Sequence, residues 1–294
     1  MMVENYAVEF NGKKPPSLLH ITPLGHIYQR VCVLTDCARH AAADLHLDET
    51  DGRRYINRLV KDNVAQIIVL EVISRTAIRL PRQAIQVCVA NTHLYSNHTR
   101  PDVKLWQAYA LMRELEQFVL RRDIALIVCG DLNSEPDSAV YEFMMEGALT
   151  NPRPELDIHD SVRVLPDLSQ ISHSVELVSA MGTALGEEPQ YTNFTAKFRG
   201  TLDYICYTPS RLRVMAVAAI PDSADLEQEN GVGLPSASYA SDHLMLFCDL
   251  AFAVSGSGGI TRQTNASRKQ LSNSPTKTNK GGGGNGRSPA SMGR

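Results

Sequence analysis

A series of short apolar runs with β-forming composition, separated by helix-like or polar stretches, constrains the fold of this chain more than any other feature. From Asn63 onward the runs are VAQIIVLEVI (64–73), AIQVCVANTHL (84–94), IALIVCGDLN (124–133), TLDYICYT (201–208), VMAVAAI (214–220) and HLMLFCDLAF (243–252). Between the second and third, Asp102 to Arg122 repeats Leu105, Ala108, Met112, Leu115 and Val119 at helical spacing, which predicts an amphipathic helix. A second helix is expected from an Asp137 cap through Val140, Phe143 and Met144 to a stop at Gly147. Strands separated by helices place the chain in the α/β class, with sheet layers covered by helices. Residues 20–50 and 151–190 are polar, Pro-interrupted and weakly periodic, and read as long connections or insertions. No internal repeat is visible.

Composition divides the 294 residues in two. The stretch Ser255 to Arg294 holds 9 of the 19 Gly, seven Lys or Arg and no Asp or Glu, whereas residues 1–254 hold 22 basic and 32 acidic residues. A body of formal charge −10 therefore precedes a basic tail of +7. The tail lacks the apolar residues that could offset chain entropy, so a disordered Gly/Ser/Asn-rich arm is expected at 255–294. Residues 1–254 can bury the core of one large α/β domain, the preferred reading, or of two small ones. Their acidity argues against a basic nucleic-acid-binding face. The start, MMVENYAVEFNGKKPPSLLH, lacks an apolar signal core, and no run approaches the roughly 20 apolar residues of a spanning helix. The six cysteines (32, 37, 88, 129, 206, 248) form no CxxC pair. Four of them lie in apolar runs, which reads as burial in a reducing compartment.

Four polar clusters fall at strand ends, where α/β proteins assemble their sites. Asn91-Thr92-His93 ends one strand, and Gly130-Asp131-Leu132-Asn133-Ser134 ends another, with Asp131 and Asn133 able to point the same way because strand side chains alternate. Leu202-Asp203-Tyr204 sets a carboxylate in an otherwise apolar strand, and Ser241-Asp242-His243 opens the last run. Carboxylate and amide oxygens suit Mg²⁺ or Mn²⁺, and a His beside a carboxylate suits proton transfer or phosphate contact. That combination fits metal-assisted hydrolysis of a phosphoester. The markers of P-loop, zincin and serine-hydrolase chemistry, GxxxxGK[ST], HExxH and GxSxG, are absent from the sequence.

The ordered set NTH, GDLNS, LDYI and SDH resembles the endonuclease/exonuclease/phosphatase superfamily. The stretches VANTHLYSNHTRPDVKLWQ, CGDLNSEPDSAVYEFM and YTNFTAKFRGTLDYICYTPSRLRVMAV are similar to the catalytic domain of CCR4-type poly(A) deadenylases. The resemblance runs from about Tyr6 to Phe252 and implies a DNase I-like four-layer sandwich of two mixed sheets flanked by helices. It implies that Asp131, Asn133 and Asp242 serve the metal, Mg²⁺ with Mn²⁺ as a substitute. Asp131 would help generate the attacking hydroxide, and Asn133 would touch the phosphate and terminal nucleotide. His243 would contact the scissile phosphate, held by Asp203, with His93 on the phosphate or leaving-group side. Asn193 and Phe198 match positions that hold the terminal adenine. The activity implied is 3′-to-5′ removal of poly(A) from mRNA with release of AMP. A cytoplasmic or nuclear setting and a CCR4-NOT-type complex follow from the same source. A nocturnin- or Angel-like phosphatase or phosphodiesterase is the alternative within the superfamily, and an inactive RNA- or protein-binding fragment is the alternative outside catalysis.

The sequence also departs from the family. An Asn-bearing first strand and a Gln-Glu dipeptide whose Glu is the principal metal ligand have no counterpart here, so the domain is expected to be incomplete at its N-terminus. Little or no hydrolysis is then expected from these 294 residues. Glu71 aligns with a later strand and reads as structural. His98 stands where the family has a base-packing Pro, and no leucine-rich repeat is present.

Overall fold

The computed structural model describes residues 25–44, 48–71, 86–150, 153–156, 164–165, 170–228 and 233–253. The basic tail, the first residues of the chain and much of 151–170 lie outside them. In chain order the elements are β1 (Gly25–Val33), α1 (Leu34–Asp44), α2 (Glu49–Leu59), β2 (Val64–Glu71), β3 (Gln86–His93), α3 (Pro101–Val119), β4 (Ala125–Asp131) and α4 (Ala139–Glu146). After a single 3-10 turn at Pro154–Leu156 come β5 (Val178–Ser179), α5 (Ala180–Leu185), β6 (Asn193–Phe194), β7 (Arg199–Gly200), β8 (Asp203–Tyr207), β9 (Leu212–Val217), α6 (Ser223–Gln228) and β10 (Cys248–Phe252).

Six strands form one sheet in the order β1-β2-β3-β4-β8-β5. Only β3 and β4 run parallel, joined by the α3 crossover, and the other neighbours are antiparallel, so the sheet is mixed. Strand alternation sends the apolar side chains to both faces. Cys88, Ala90, Leu126, Val128, Tyr204 and Cys206 face α1 to α4, whereas Val87, Ala125, Ile127, Ile205 and Tyr207 face the antiparallel pair β9–β10. A mixed sheet flanked by helices on one side, with a second sheet on the other, is the α/β architecture expected from the sequence. Among the described residues the second sheet comprises two strands.

Helix α3 carries the expected stripe, and Leu105, Ala108, Met112, Leu115 and Val119 are all buried. Pro101 occupies its first turn, where a missing N–H costs nothing. Helix α4 is capped by Ser138, whose Oγ accepts from Tyr141 N, one residue after the Asp137 cap expected, and Gly147 ends it at φ 78°. Residues 25–44 correct the reading of a long connection. They form β1, which adds an edge strand to β2, and α1, which buries Leu34 and Ala38. In the 151–190 stretch the connection is likewise interrupted by β5 and α5, and the described parts of it bury Leu177 and Met181 completely. The last strand begins at Cys248 rather than His243, because Leu244 N donates to Thr192 O (2.7 Å) and His243 bridges to Asn193, drawing this stretch to the β6–β7 hairpin.

Among the described cysteines, Cys88 and Cys206 are buried and Cys37, Cys129 and Cys248 half-buried, all free thiols. Burial pushes the Cys88 thiol up to about 12. No helix among the described residues is long and apolar enough to cross a membrane.

Candidate active site

Three strand ends meet at one edge of the large sheet. Parallel pairing of β3 with β4 sets His93 opposite Asp131, and antiparallel pairing of β4 with β8 sets Asp131 opposite Asp203. The close approach of β3 and β4 needs Gly130, which has φ +136° and whose Cβ would fall 1.9 Å from the Thr92 carbonyl oxygen. The β6–β7 hairpin then brings in the fourth cluster. Phe194 N donates to Asp242 O (3.1 Å) and Asn193 bridges to His243, so the Ser241–His243 stretch lies against the β8 end.

The resulting side-chain geometry is tight. His243 Nδ1 lies 2.7 Å from Asp203 Oδ2, and His243 Nε2 lies 3.9 Å from Asp131 Oδ2. His93 Nε2 is 3.4 Å from the same Asp131 oxygen, while Asp131 Oδ1 accepts from Asn133 N at 2.7 Å. Asp131 thus stands between two imidazoles. Burial pushes its carboxyl above the usual carboxylate range, opposed by the Asn133 N–H, with the Asp203 charge adding to the rise. The Asp203 hydrogen bond raises His243 above the ordinary imidazole value against partial burial.

Donor atoms of Asp131, Asp203 and His243 all lie within 4.8 Å of one another. Two neighbouring carboxylates, one of them destabilised in its charged form by burial, are a donor set that a divalent cation would stabilise. Asp131 has the oxygen best placed for that role, since Asp203 Oδ2 already serves His243 Nδ1 and the Thr192 hydroxyl (2.6 Å). Of the other residues expected to serve a metal, Asn133 donates its amide to Leu94 O (2.9 Å) and Asp242 is exposed, its carboxylate 3.4 Å from Asn193 Nδ2. Asn193 is buried and Phe198 is 38% exposed. Glu71 pairs with Gln86 at the end of β2 remote from the Ala65–Thr92 pair, and so away from the site. His98 is exposed on the loop before α3.

A polar layer beneath the site escaped sequence reasoning. Thr192, fully buried, donates to Asp203 Oδ2 and accepts from the backbone N–H groups of Leu202 (2.9 Å) and Asp203 (3.0 Å). Lys104 Nζ donates to Asn133 O (2.6 Å), and Asn133 needs this anchor because its backbone sits at φ 47°. Burial lowers the Lys104 pKa, with the charges of Asp131 and Glu135 opposing the shift. Gln107, also fully buried, accepts from Tyr95 N (2.8 Å) and donates to Asn63 Oδ1 (3.0 Å), and Asn63 Nδ2 donates to His93 O (2.8 Å). Helix α3 therefore holds both loops that follow β3 and β4. The available signal was a Lys and a Gln inside the apolar DVKLWQAYALM segment.

Residues 22–243 match the model of the Endonuclease/Exonuclease/phosphatase family. The chain belongs to that family. It is 37% identical over 213 residues to Carbon catabolite repressor protein 4 homolog 1 of Arabidopsis thaliana, covering 66% of this chain and 35% of that protein. It is 30% identical over 226 residues to CCR4-NOT transcription complex subunit 6-like of Danio rerio, covering 67% and 40%. The human 2′,5′-phosphodiesterase 12 is 31% identical over 194 residues, covering 65% and 29%. The chain thus spans roughly a third of the length of these relatives. Among solved structures, ANGEL2, a 2′,3′-cyclic phosphatase, aligns with a TM-score of 0.56 at 23% identity over 77% of this chain and 67% of that one, a likeness of fold.

Proposed function

We propose that the site serves a divalent-metal-dependent 3′-to-5′ exoribonuclease acting on poly(A) and releasing AMP. The observation that carries the reading is Asp131 flanked by His93 and by an Asp203-held His243, with the part-exposed Phe198 in the turn of the β6–β7 hairpin that bridges to His243. Similarity to CCR4 proteins supports the poly(A) substrate. Asp131 would hold the cation, Mg²⁺ or Mn²⁺, with Asn133 and Asp242 beside it. Such a cation polarises a phosphoryl oxygen and lowers the pKa of its bound water.

The protein's own residues supply the rest. Asp203 orients the His243 ring through Nδ1 and, by raising its pKa, favours the imidazolium, whose Nε2–H would donate to a phosphate oxygen. Asp131, set between His93 and His243, would work through the cation to help generate the attacking hydroxide. His93, exposed and 3.4 Å from Asp131, would lie on the phosphate or leaving-group side. Phe198 offers a stacking face for the terminal base and Asn193 an amide beside it. Recruitment to mRNA through a CCR4-NOT-type complex and action in the cytoplasm belong to the same proposal.

Turnover of an adenosine oligonucleotide with Mg²⁺, compared with a generic phosphodiester, tests the reading, and affinity for the same two compounds takes its place where the low hydrolysis expected of these residues leaves no rates to compare. Phe198→Ala is expected to slow the oligonucleotide reaction by about tenfold or more, as loss of one stacked base requires, with a much smaller loss on the generic ester. Equal losses on both would sink the poly(A) assignment. Similarity to 2′,5′-phosphodiesterase 12 favours a second reading, hydrolysis of a different phosphodiester linkage, which faster cleavage of a 2′,5′-linked adenylate in the same assay would select.

A further inference from the structure

The β6–β7 hairpin pairs Asn193 with Gly200, and Asn193 in turn bridges to His243, so Gly200 lies two backbone steps from the candidate catalytic imidazole. A Cβ at Gly200 would fall 2.7 Å from Phe198 Cζ and 2.8 Å from Glu135 Oε1. Only the absence of a side chain at 200 lets a ring edge and a carboxylate oxygen converge there. Glu135 is exposed and follows the Asp131–Ser134 stretch, whose Asn133 and Ser134 carbonyls are held by Lys104 Nζ (2.6 Å) and the Tyr204 hydroxyl (2.7 Å). The carboxylate is therefore mounted on an anchored loop.

Resting on the reading of Phe198 as the base-stacking residue, we infer that Glu135 is a specificity residue selecting a terminal base that carries an exocyclic amine. A base stacked on a ring projects its edge past the ring perimeter, and the Glu135 oxygen flanks the Cζ side of that perimeter, both atoms lying within 2.8 Å of the Gly200 Cβ position. A carboxylate only accepts hydrogen bonds. Adenine presents an N6 amine to it, as cytosine presents N4. A base with a carbonyl at that position, hypoxanthine or uracil, places an acceptor against a charged acceptor and is rejected. Discrimination of this kind comes from leaving a polar group opposed rather than from shape.

The decisive measurement is the affinity of the full chain for AMP and for IMP, which share ribose, phosphate and stacking area, by isothermal titration calorimetry. The protein is expected to favour AMP by about tenfold or more, the worth of a charge-assisted hydrogen bond. Glu135→Leu should collapse the ratio to about twofold or less, and Glu135→Gln, whose amide can also donate to a carbonyl, should bring it near unity or invert it. An unchanged AMP-to-IMP ratio in Glu135→Leu overturns the inference while leaving the stacking site intact, provided that Phe198→Ala weakens both nucleotides alike. Full retention of AMP affinity in Phe198→Ala, or no nucleotide binding by the unaltered protein, overturns the base-site reading and the Glu135 inference with it. Because Glu135 is exposed, its variants are expected to keep the thermal midpoint of the unaltered protein, which a melting curve checks.

Discussion

The two faces of the six-stranded sheet are covered by different means. Helices α1 to α4 bury the first face with large side chains, including Leu105, Leu111, Met112, Leu115 and Phe143, all essentially inaccessible. Among the described residues the opposite face meets only β9, β10 and α5, and Val87, Ile127, Val178 and Ile205 remain partly buried there. Its covering strands leave Met215 at 57% and nearby Phe247 at 48% exposure on their outer side. The candidate site lies at the rim between these regimes and is held by hydrogen bonds to Thr192, Lys104 and Gln107 rather than by apolar burial. Apolar burial and the candidate site thus fall in different parts of the domain and should respond to different substitutions.

The largest separation should come from Phe143→Ala. Phe143 is fully buried among helices and stacks edge-on with His173 at 4.8 Å. Removing the ring should cost about 3–5 kcal/mol, a fall in melting temperature on the order of 10 °C for a domain of this size. Nucleotide affinity, measured well below the melting point, should hold. Phe198→Ala should do the reverse, shifting stability by roughly 0.5 kcal/mol or less while weakening nucleotide binding. Similar melting shifts for both variants would erase the division.

Thr192→Val probes the boundary itself. The shape is kept, but the Leu202 and Asp203 N–H groups lose their acceptor and Asp203 loses a donor. A cost of about 1–3 kcal/mol in stability is expected, together with slower hydrolysis because Asp203 no longer holds His243 in one position. Lys104→Met comes next. It removes a costly buried cation but leaves Asn133 O without its partner, so the net change in stability should be within about 1 kcal/mol. The strained Asn133 loop would loosen, and loss of turnover without loss of melting temperature would identify Lys104 as a positioning residue, with Lys104→Arg restoring part of the rate.

How much of this was legible in the sequence follows from the same contrast. The strands β2, β3, β4 and β8 are readable because both faces are apolar and the runs are continuous. The strand β1 and helices α1 and α2 are not: α2 buries only Tyr55 and Leu59 and carries Gly52 inside it, so its pattern is mostly polar. Two-residue strands such as β6 and β7 have no period to detect. At the site, Asp131 and Asp203 were legible because each sits at a strand end, and His243 because it follows Ser241-Asp242 before an apolar run, and the structure brings the three together. Thr192, Lys104 and Gln107 were not, since their roles come from contacts between segments 10 to 44 positions apart. Glu71 shows the converse, a carboxylate in a favourable run that the register of β2 carries to the far end of the sheet.

The smallest effect, and the sharpest in sign, lies in the histidines of the two regions. His173, under the helices, hydrogen-bonds Phe143 O at 2.9 Å, and burial lowers its pKa despite that carbonyl and the Glu116 charge. Its folded value lies below its unfolded value, so the unfolded chain takes the proton first. The stability it permits is complete above about pH 6.5 and declines as pH falls through that value toward the lowered one. His243 is shifted the other way by Asp203, so it contributes stability below about pH 6.5 that disappears as pH rises through its raised value. Melting temperatures between about pH 5 and 8 should therefore diverge between His173→Gln and His243→Gln. The first, whose amide can still reach Phe143 O, should lose part of its acid sensitivity. The second should lose stability chiefly on the acid side and little at pH 8. Parallel shifts in the two variants would mean that the helical face and the site rim do not differ in how they treat a buried proton.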